Sequence, residues 1–348
     1  MDIKIQEEYL KQSMKLHRQV PVVDAHLDLA GEILLRYQAG EKEVIRRHYL
    51  EYFKTAGMKL VLSSVYVENS KLDHAWENAL EQIKVLKEDA VDISEIMFVY
   101  SKEDIEKLLL EDKIGILIYM EGLDCIGTDL GKLDELYQLG VRGASLTWSR
   151  PNVLGNGCCK ASEYRQILGG LTETGIAAVH RLEELAMFLD VSHLNDDGFE
   201  DVCRITERSF VATHSGSRVV YDNFRNLTDA QMYQLAKQGG IMGMNGCKYI
   251  AGSQSGNHLE MLCKHIEYEV QTIGAEHVGY GFDLCDSYDR ARAALQGREY
   301  TDQDDCLLHH GQIPMVTAAL LQRGMPEESV TRIISGNFMN YFKHILPD

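Results

Sequence analysis

The sequence predicts a single α/β domain, a (β/α)8 TIM barrel, and three observations point there. Eight short apolar runs recur along the 348 residues, amphipathic stretches separate most of them, and His and carboxylate residues gather where the runs end. A chain of this length suits eight βα units.

The runs are Val20–Leu29, Leu60–Val67, Ile114–Met120, Val141–Trp148, Met187–Leu194, Phe210–His214, Gly240–Asn245 and His277–Leu284. They are rich in Val, Ile, Leu, Met and small residues, as strands buried on both faces must be. Leu130–Leu139 and Thr174–Leu185 show the helical period, and Thr228 is placed to cap a helix over 228–238. The 5 prolines are spread thinly and no Ser/Gly/Pro linker divides the chain. One domain is therefore expected over 1–348, with the barrel core at about 20–342. Alternation of strand and helix alone leaves a barrel or a large open sheet; the positions of the polar residues favour the barrel.

Bulk composition narrows the function. Hydrophobic residues make up 45% and charged residues 25%, which is ordinary for a globular chain. A formal net charge of −18 argues against binding a nucleic-acid backbone, which needs clustered Lys and Arg. The 8 cysteines form no CxxC pair, and several lie in apolar runs, so they read as structural thiols. The N-terminal segment MDIKIQEEYLKQSMKLHRQ has no apolar core of a signal peptide, and no stretch approaches 18 apolar residues. A cytoplasmic protein without a membrane span is the expectation.

The chemistry-bearing residues follow run by run. The first run closes on Val-Asp-Ala-His-Leu-Asp, and residues two apart on a strand share a side. His26 and Asp28 thus project together and can bind one metal ion. The third run passes straight into Glu121, an ionised group that would not be buried unpaired; a metal ligand, bridging two ions, is the sharper reading beside a surface carboxylate. The fifth and sixth runs close on His193 and His214, and the eighth leads to Asp283. Taken singly, each is as readily a capping or surface residue. Jointly they fall at the strand ends where barrel enzymes assemble their sites. Thr213-His214-Ser215 hints at a serine hydrolase, but no G-x-S-x-G elbow supports it.

At this point the sequence resembles the membrane (renal) dipeptidase family of zinc peptidases, within the amidohydrolase barrel group. DAHLDL matches the family's D-x-H-x-D-L opening, and MEG its E-G segment. GLTETGIAAVHRLEELAMFLDVSHL, THS and the C-terminal SGNFMNYF match further family blocks, spanning about 20 to 342.

The resemblance implies a binuclear zinc dipeptidase that cleaves the amide bond of a dipeptide through a hydroxide bridging two Zn2+ ions. By position, His26 and Asp28 bind the first zinc, Glu121 bridges, and His193 and His214 bind the second. Asp283 stands as the acid/base carboxylate, and Arg225, in Phe-Arg-Asn, as the arginine that holds the substrate's C-terminal carboxylate. Trp148 and Asn245 are expected on the substrate side. The partners implied are a small dipeptide and, since members often pair, a homodimer. The alternative within enzymes is a binuclear amidohydrolase acting on another small carboxylate-bearing amide, an N-acyl amino acid or a lactam; outside them it is a silent metal-binding barrel.

Three departures touch the substrate side. Trp148 stands where mammalian members carry a His that helps polarise the substrate, and bacterial relatives often have Trp there too. In the run Gly281-Phe282-Asp283-Leu284-Cys285-Asp286 the family's second Asp is Cys285. The loop Pro151–Ile167, with Cys158-Cys159, also differs from the family's patterns.

Overall fold

A computed structural model describes residues 2–159, 169–254 and 256–348. Among them run nine strands: β1 (Val22–Leu27), β2 (Met58–Tyr66), β3 (Ile96–Phe98), β4 (Ile114–Glu121), β5 (Val141–Ser145), β6 (Phe188–Asp190), β7 (Ala212–Ser215), β8 (Met242–Met244) and β9 (Val278–Tyr280). All paired strands are parallel, and helices fill the intervals, as βαβ crossovers require. Each of the eight expected runs overlaps one strand, with β2 starting two residues early at Met58 and β4 and β7 each running one residue further. The extra one, β3, is only three residues long. It pairs with β4 over Ile114–Ile116, and β5 joins β4 only from Ile118 onward.

The ladders do not form a continuous ring. They make two arcs, β1-β2-β4-β5-β6 with β3 beside β4, and β7-β8-β9. A single bridge, Asp190 to Val211, joins the arcs on one side. On the other side, among the described residues, no bridge joins β9 to β1; one of the bonds that link them runs from Asp283 N–H to the His26 carbonyl at 3.3 Å.

Inside the strands, Val23, Ala25, Leu60, Leu62, Leu117, Tyr119, Phe188, Val211 and Ile241 form one buried cluster with the C-terminal helix Asn337–Ile345. A Cβ on Gly279 would lie 2.4 Å from Phe338, and one on Gly143 2.2 Å from Phe188, so glycine lets these rings lie across the strands. Phe338 and Phe342 thereby close the end of the barrel opposite the strand C-termini, which is the physical role of the SGNFMNYF segment.

Where the strands end, register breaks. Between Asp24 and Leu27 β1 advances three residues while β2 advances two, and between Ala212 and Ser215 β7 does the same against β8. The extra residue is a bulge, a device that re-aims side chains at barrel rims. The two bulges fall at His26 and His214. β1 ends at Leu27, so Asp28 lies just past the strand and precedes the helix Leu29–Gln38 rather than continuing the alternation.

No disulfide links any of the eight cysteines. No helix of the described residues is long and apolar enough to cross a membrane. Of the loop Pro151–Ile167, residues 160–167 lie outside the described residues.

Candidate metal centre

The six residues expected to converge do so. Glu121 has its two oxygens turned to different partners. Oε1 lies 2.8 Å from His193 Nε2 and 3.5 Å from His214 Nε2, while Oε2 lies 3.8 Å from His26 Nε2. His26 Nε2 is in turn 3.7 Å from Asp28 Oδ1 and 3.4 Å from Asp283 Oδ1. Two overlapping sets of closely spaced donor atoms result: His26, Glu121 and His214, and His26, Asp28 and Asp283. The His193 and His214 Nε2 atoms stand 2.9 Å apart. His26 Nε2 is fully enclosed and has no hydrogen-bond partner.

An enclosed, unpartnered imidazole nitrogen facing three carboxylates fits a divalent cation, since neutral imidazole and carboxylate are the donors such ions take. The electrostatics agree. Burial works against a charged His26 ring, yet Glu121, Asp283 and Asp28 overcome it and carry its pKa up to about 10. Burial lifts Glu121 well above the usual carboxylate range, with His26 opposing and Asp28 and Asp283 adding. It also raises Asp283, with Asp28 adding. Burial and the neighbouring Arg225 and His26 charges hold His193 and His214 well below 6.5. The cluster thus holds His193 and His214 as neutral imidazoles and sets His26 among mutually repelling carboxyl groups.

Each His ring is fixed through its other nitrogen. His26 Nδ1 meets the Tyr119 hydroxyl, His193 Nδ1 meets Ser149 Oγ at 2.8 Å, and His214 Nδ1 meets Thr213 Oγ1 at 2.7 Å. Ser64 Oγ donates to Asp28. Such outer partners orient metal ligands. Sequence reasoning missed them, because a Ser, Thr or Tyr in an apolar strand has no local mark of its partner.

Asp283 is held in an unusual backbone conformation, φ 53°, where non-glycine residues are rare. Its Oδ2 accepts from Asn245 Nδ2 at 2.9 Å, and its Oδ1 from the Cys285 thiol at 3.1 Å. Asn245, expected on the substrate side, is fully buried, its Oδ1 accepting from Cys247 N–H and its Nδ2 donating to Asp283. Cys285, where the family carries Asp, likewise turns toward Asp283.

Arg225 does reach the centre. Its guanidinium bonds the Ser192 carbonyl, the His214 carbonyl at 3.1 Å and His193 Nε2 at 3.2 Å. Trp148 lies beside the cluster, its ring 5.7 Å from His193 and 5.1 Å from Tyr66. Arg150, missed from the sequence, sits over both rings and is anchored by Asp124 at 3.0 Å and the Val67 carbonyl at 2.8 Å.

The family model for membrane dipeptidases, peptidase family M19, matches residues 10–346. Dipeptidase 3 of Mus musculus is 26% identical over 351 residues, covering 96% of this chain and 66% of its own length. Dipeptidase 3 of Homo sapiens is 26% identical, covering 95% of this chain and 66% of its own. The chain thus spans slightly under two thirds of these relatives. In fold, it is similar to a metallopeptidase described as dipeptidase AC (TM-score 0.80, 24% identity, 94% of this chain, 99% of that one). It is also similar to a Rhodobacter sphaeroides metallopeptidase liganded with a phosphinate mimic of the dipeptide L-Ala-D-Ala (TM-score 0.79, 23% identity, 94% and 99%).

Proposed function

The chain belongs to the membrane dipeptidase family, peptidase family M19, and from that premise we propose that it is a metal-dependent dipeptidase working with two divalent ions, zinc by family resemblance. The observation that carries this is the division of the Glu121 carboxylate, one oxygen toward His193 and His214 and the other toward His26. A bridging carboxylate between two ions requires that arrangement.

His26, Asp28 and Asp283 would hold one ion and His193 and His214 the other, with Glu121 shared. Divalent cations bound there supply Lewis acidity toward a carbonyl and bring the pKa of water close to neutrality. The protein's own residues do the rest. Asp283, held from both sides by Asn245 and Cys285, would take a proton from water and return it to the leaving amine. Arg225, at the wall beside His193, would pair with the substrate's terminal carboxylate and orient the scissile bond. Trp148 and Tyr66 would cover the substrate on the Glu121 side.

The test is metal analysis of the purified protein followed by a dipeptide panel, beginning with L-Ala-D-Ala and L-Ala-L-Ala. About two ions per chain and hydrolysis abolished by chelator are expected. Full activity in demonstrably metal-free protein, or none in metal-loaded protein, overturns the proposal.

A further inference from the structure

His26 and His214 approach Glu121 from opposite oxygens, yet their outer nitrogens enter one hydrogen-bond network beneath the site. His214 Nδ1 lies 2.7 Å from Thr213 Oγ1. Tyr119 hydroxyl contacts His26 Nδ1 on one side and Thr213 Oγ1, at 3.4 Å, on the other. Thr213 Oγ1 is 2.7 Å from Asp190 Oδ2. Asp190 is fully buried and accepts three further bonds on Oδ1, from Ser192 Oγ at 2.6 Å and from the Ser192 and Thr213 N–H groups at 3.0 Å.

The carboxylate sets the direction of the Thr213 proton, and the proposed direction of the others is built outward from it. A carboxylate offers only acceptors, and a threonine hydroxyl has one hydrogen to give. Thr213 therefore donates to Asp190 and has only lone pairs left for its other neighbours. From the Asp190 side, His214 then carries its hydrogen on Nδ1 and donates to Thr213, which leaves its Nε2 and that of His193, 2.9 Å apart, both turned to the ion without a hydrogen between them. With Tyr119 donating to the remaining lone pair of Thr213 at 3.4 Å, it accepts from His26 Nδ1–H in the same scheme. Both rings are left with Nε2 as the nitrogen for an ion, the tautomer that metal binding needs. His193 is outside this network, since its Nδ1 meets Ser149.

We propose that Asp190, acting through Thr213, is a positioning residue that sets the metal-ligating tautomer of both His26 and His214 and so couples the two halves of the centre. Asp190 lies one layer beneath the cluster and touches none of its Nε2 atoms. The proposal rests on reading the cluster as a metal centre.

Two measurements test it. In the metal-free wild-type chain with nitrogen-15 histidine, the neutral His214 ring is expected with its hydrogen on Nδ1, and Asp190→Asn, whose amide can donate to Thr213, is expected to move it to Nε2. Metal affinity is read separately by chelator competition. Thr213→Val should weaken both equivalents by about 10- to 100-fold, the usual worth of an outer partner. Thr213→Ser should restore them, and Ser149→Ala should weaken one equivalent alone. A wild-type His214 hydrogen on Nε2 overturns the proposal, whether or not the variants fold. So does a folded Thr213→Val that binds both ions as the wild type does or weakens one alone, or a folded Thr213→Ser that fails to restore them. A wild-type chain that binds no ion defeats instead the metal reading of the site, and the His214 tautomer then decides the coupling by itself.

Discussion

The carboxylate of Asp24 accepts the backbone N–H of Phe282 at 2.8 Å. A side chain thus helps bind the first strand to the last, where no ladder does so. The other oxygen of Asp24 meets His310 Nε2 at 3.1 Å. Because Phe282 precedes Asp283 and Asp24 precedes His26 by two residues, this tether fixes the spacing of two cluster residues.

Removing the tether should therefore cost both stability and metal binding. Asp24→Ala leaves a buried N–H without an acceptor, a loss of about 1–3 kcal/mol. Urea unfolding should show that loss, and metal content should drop in parallel. An Asp24→Ala protein with wild-type midpoint and wild-type metal content would show that Phe282 is held by other means.

Asp283→Asn keeps the shape and removes the proton acceptor. If Asp283 is the acid/base, kcat on a good dipeptide should fall by about 10²–10⁴. The ion held by Glu121, His193 and His214 should remain, since Asp283 belongs to the other donor set. Near-normal kcat in this variant removes Asp283 from the role.

Glu121→Gln should act differently. A neutral amide is a poor bridge between two cations, so both equivalents should bind more weakly, and the rate should fall with occupancy. Full occupancy of both sites in the Gln variant, measured by metal analysis after dialysis, would mean that Glu121 does not bridge.

Arg225 is tested from both partners. Amidating the C-terminus of a good dipeptide should lower kcat/KM at least tenfold, about 1.4 kcal/mol. Arg225→Ala should impose a similar loss on the free acid and little more on the amide. Equal cleavage of acid and amide by the wild type would leave the carboxylate unclamped and favour an amide substrate of another kind.

Acid should weaken the fold through two histidines remote from the cluster. His17 bonds the Ala56 carbonyl at 2.6 Å and Thr317 Oγ1 at 2.8 Å, and burial holds its pKa down to about 4. His265 accepts Ser217 N–H at 3.0 Å and meets the Ala251 carbonyl at 3.1 Å, and burial also holds it to about 4. Between pH 6.5 and 4 the unfolded chain binds more protons than the folded one. The contribution of these rings is thus complete above pH 6.5 and lost as pH falls through that window, up to about 3 kcal/mol each. His17→Gln and His265→Gln should flatten the pH dependence of the urea midpoint. An unchanged slope in the double variant would show that these rings are not responsible.

The strands and the His and carboxylate residues that gather at their ends were legible in the chain because both are local marks. A strand buried on two faces must be apolar throughout, and a His or carboxylate at its end stands out against that background, as His193 does after Phe188–Asp190. Arg225 came only from the family resemblance, since an arginine eleven residues past His214 looks like any surface cation.

What the sequence by itself determined was the eight main strands, helical stretches between most of them, and the six residues that would meet at their ends. Tertiary structure decided the rest. It set the bulges at His26 and His214, the inward turn of Asn245 onto Asp283, the two arcs joined by a bridge and a tether, and the Asp190 network. Each of these depends on partners far apart in the chain, Asp24 with Phe282 or Tyr119 with Thr213. Register and hydrogen-bond direction exist only once such strands lie side by side, so no local pattern of residues could specify them.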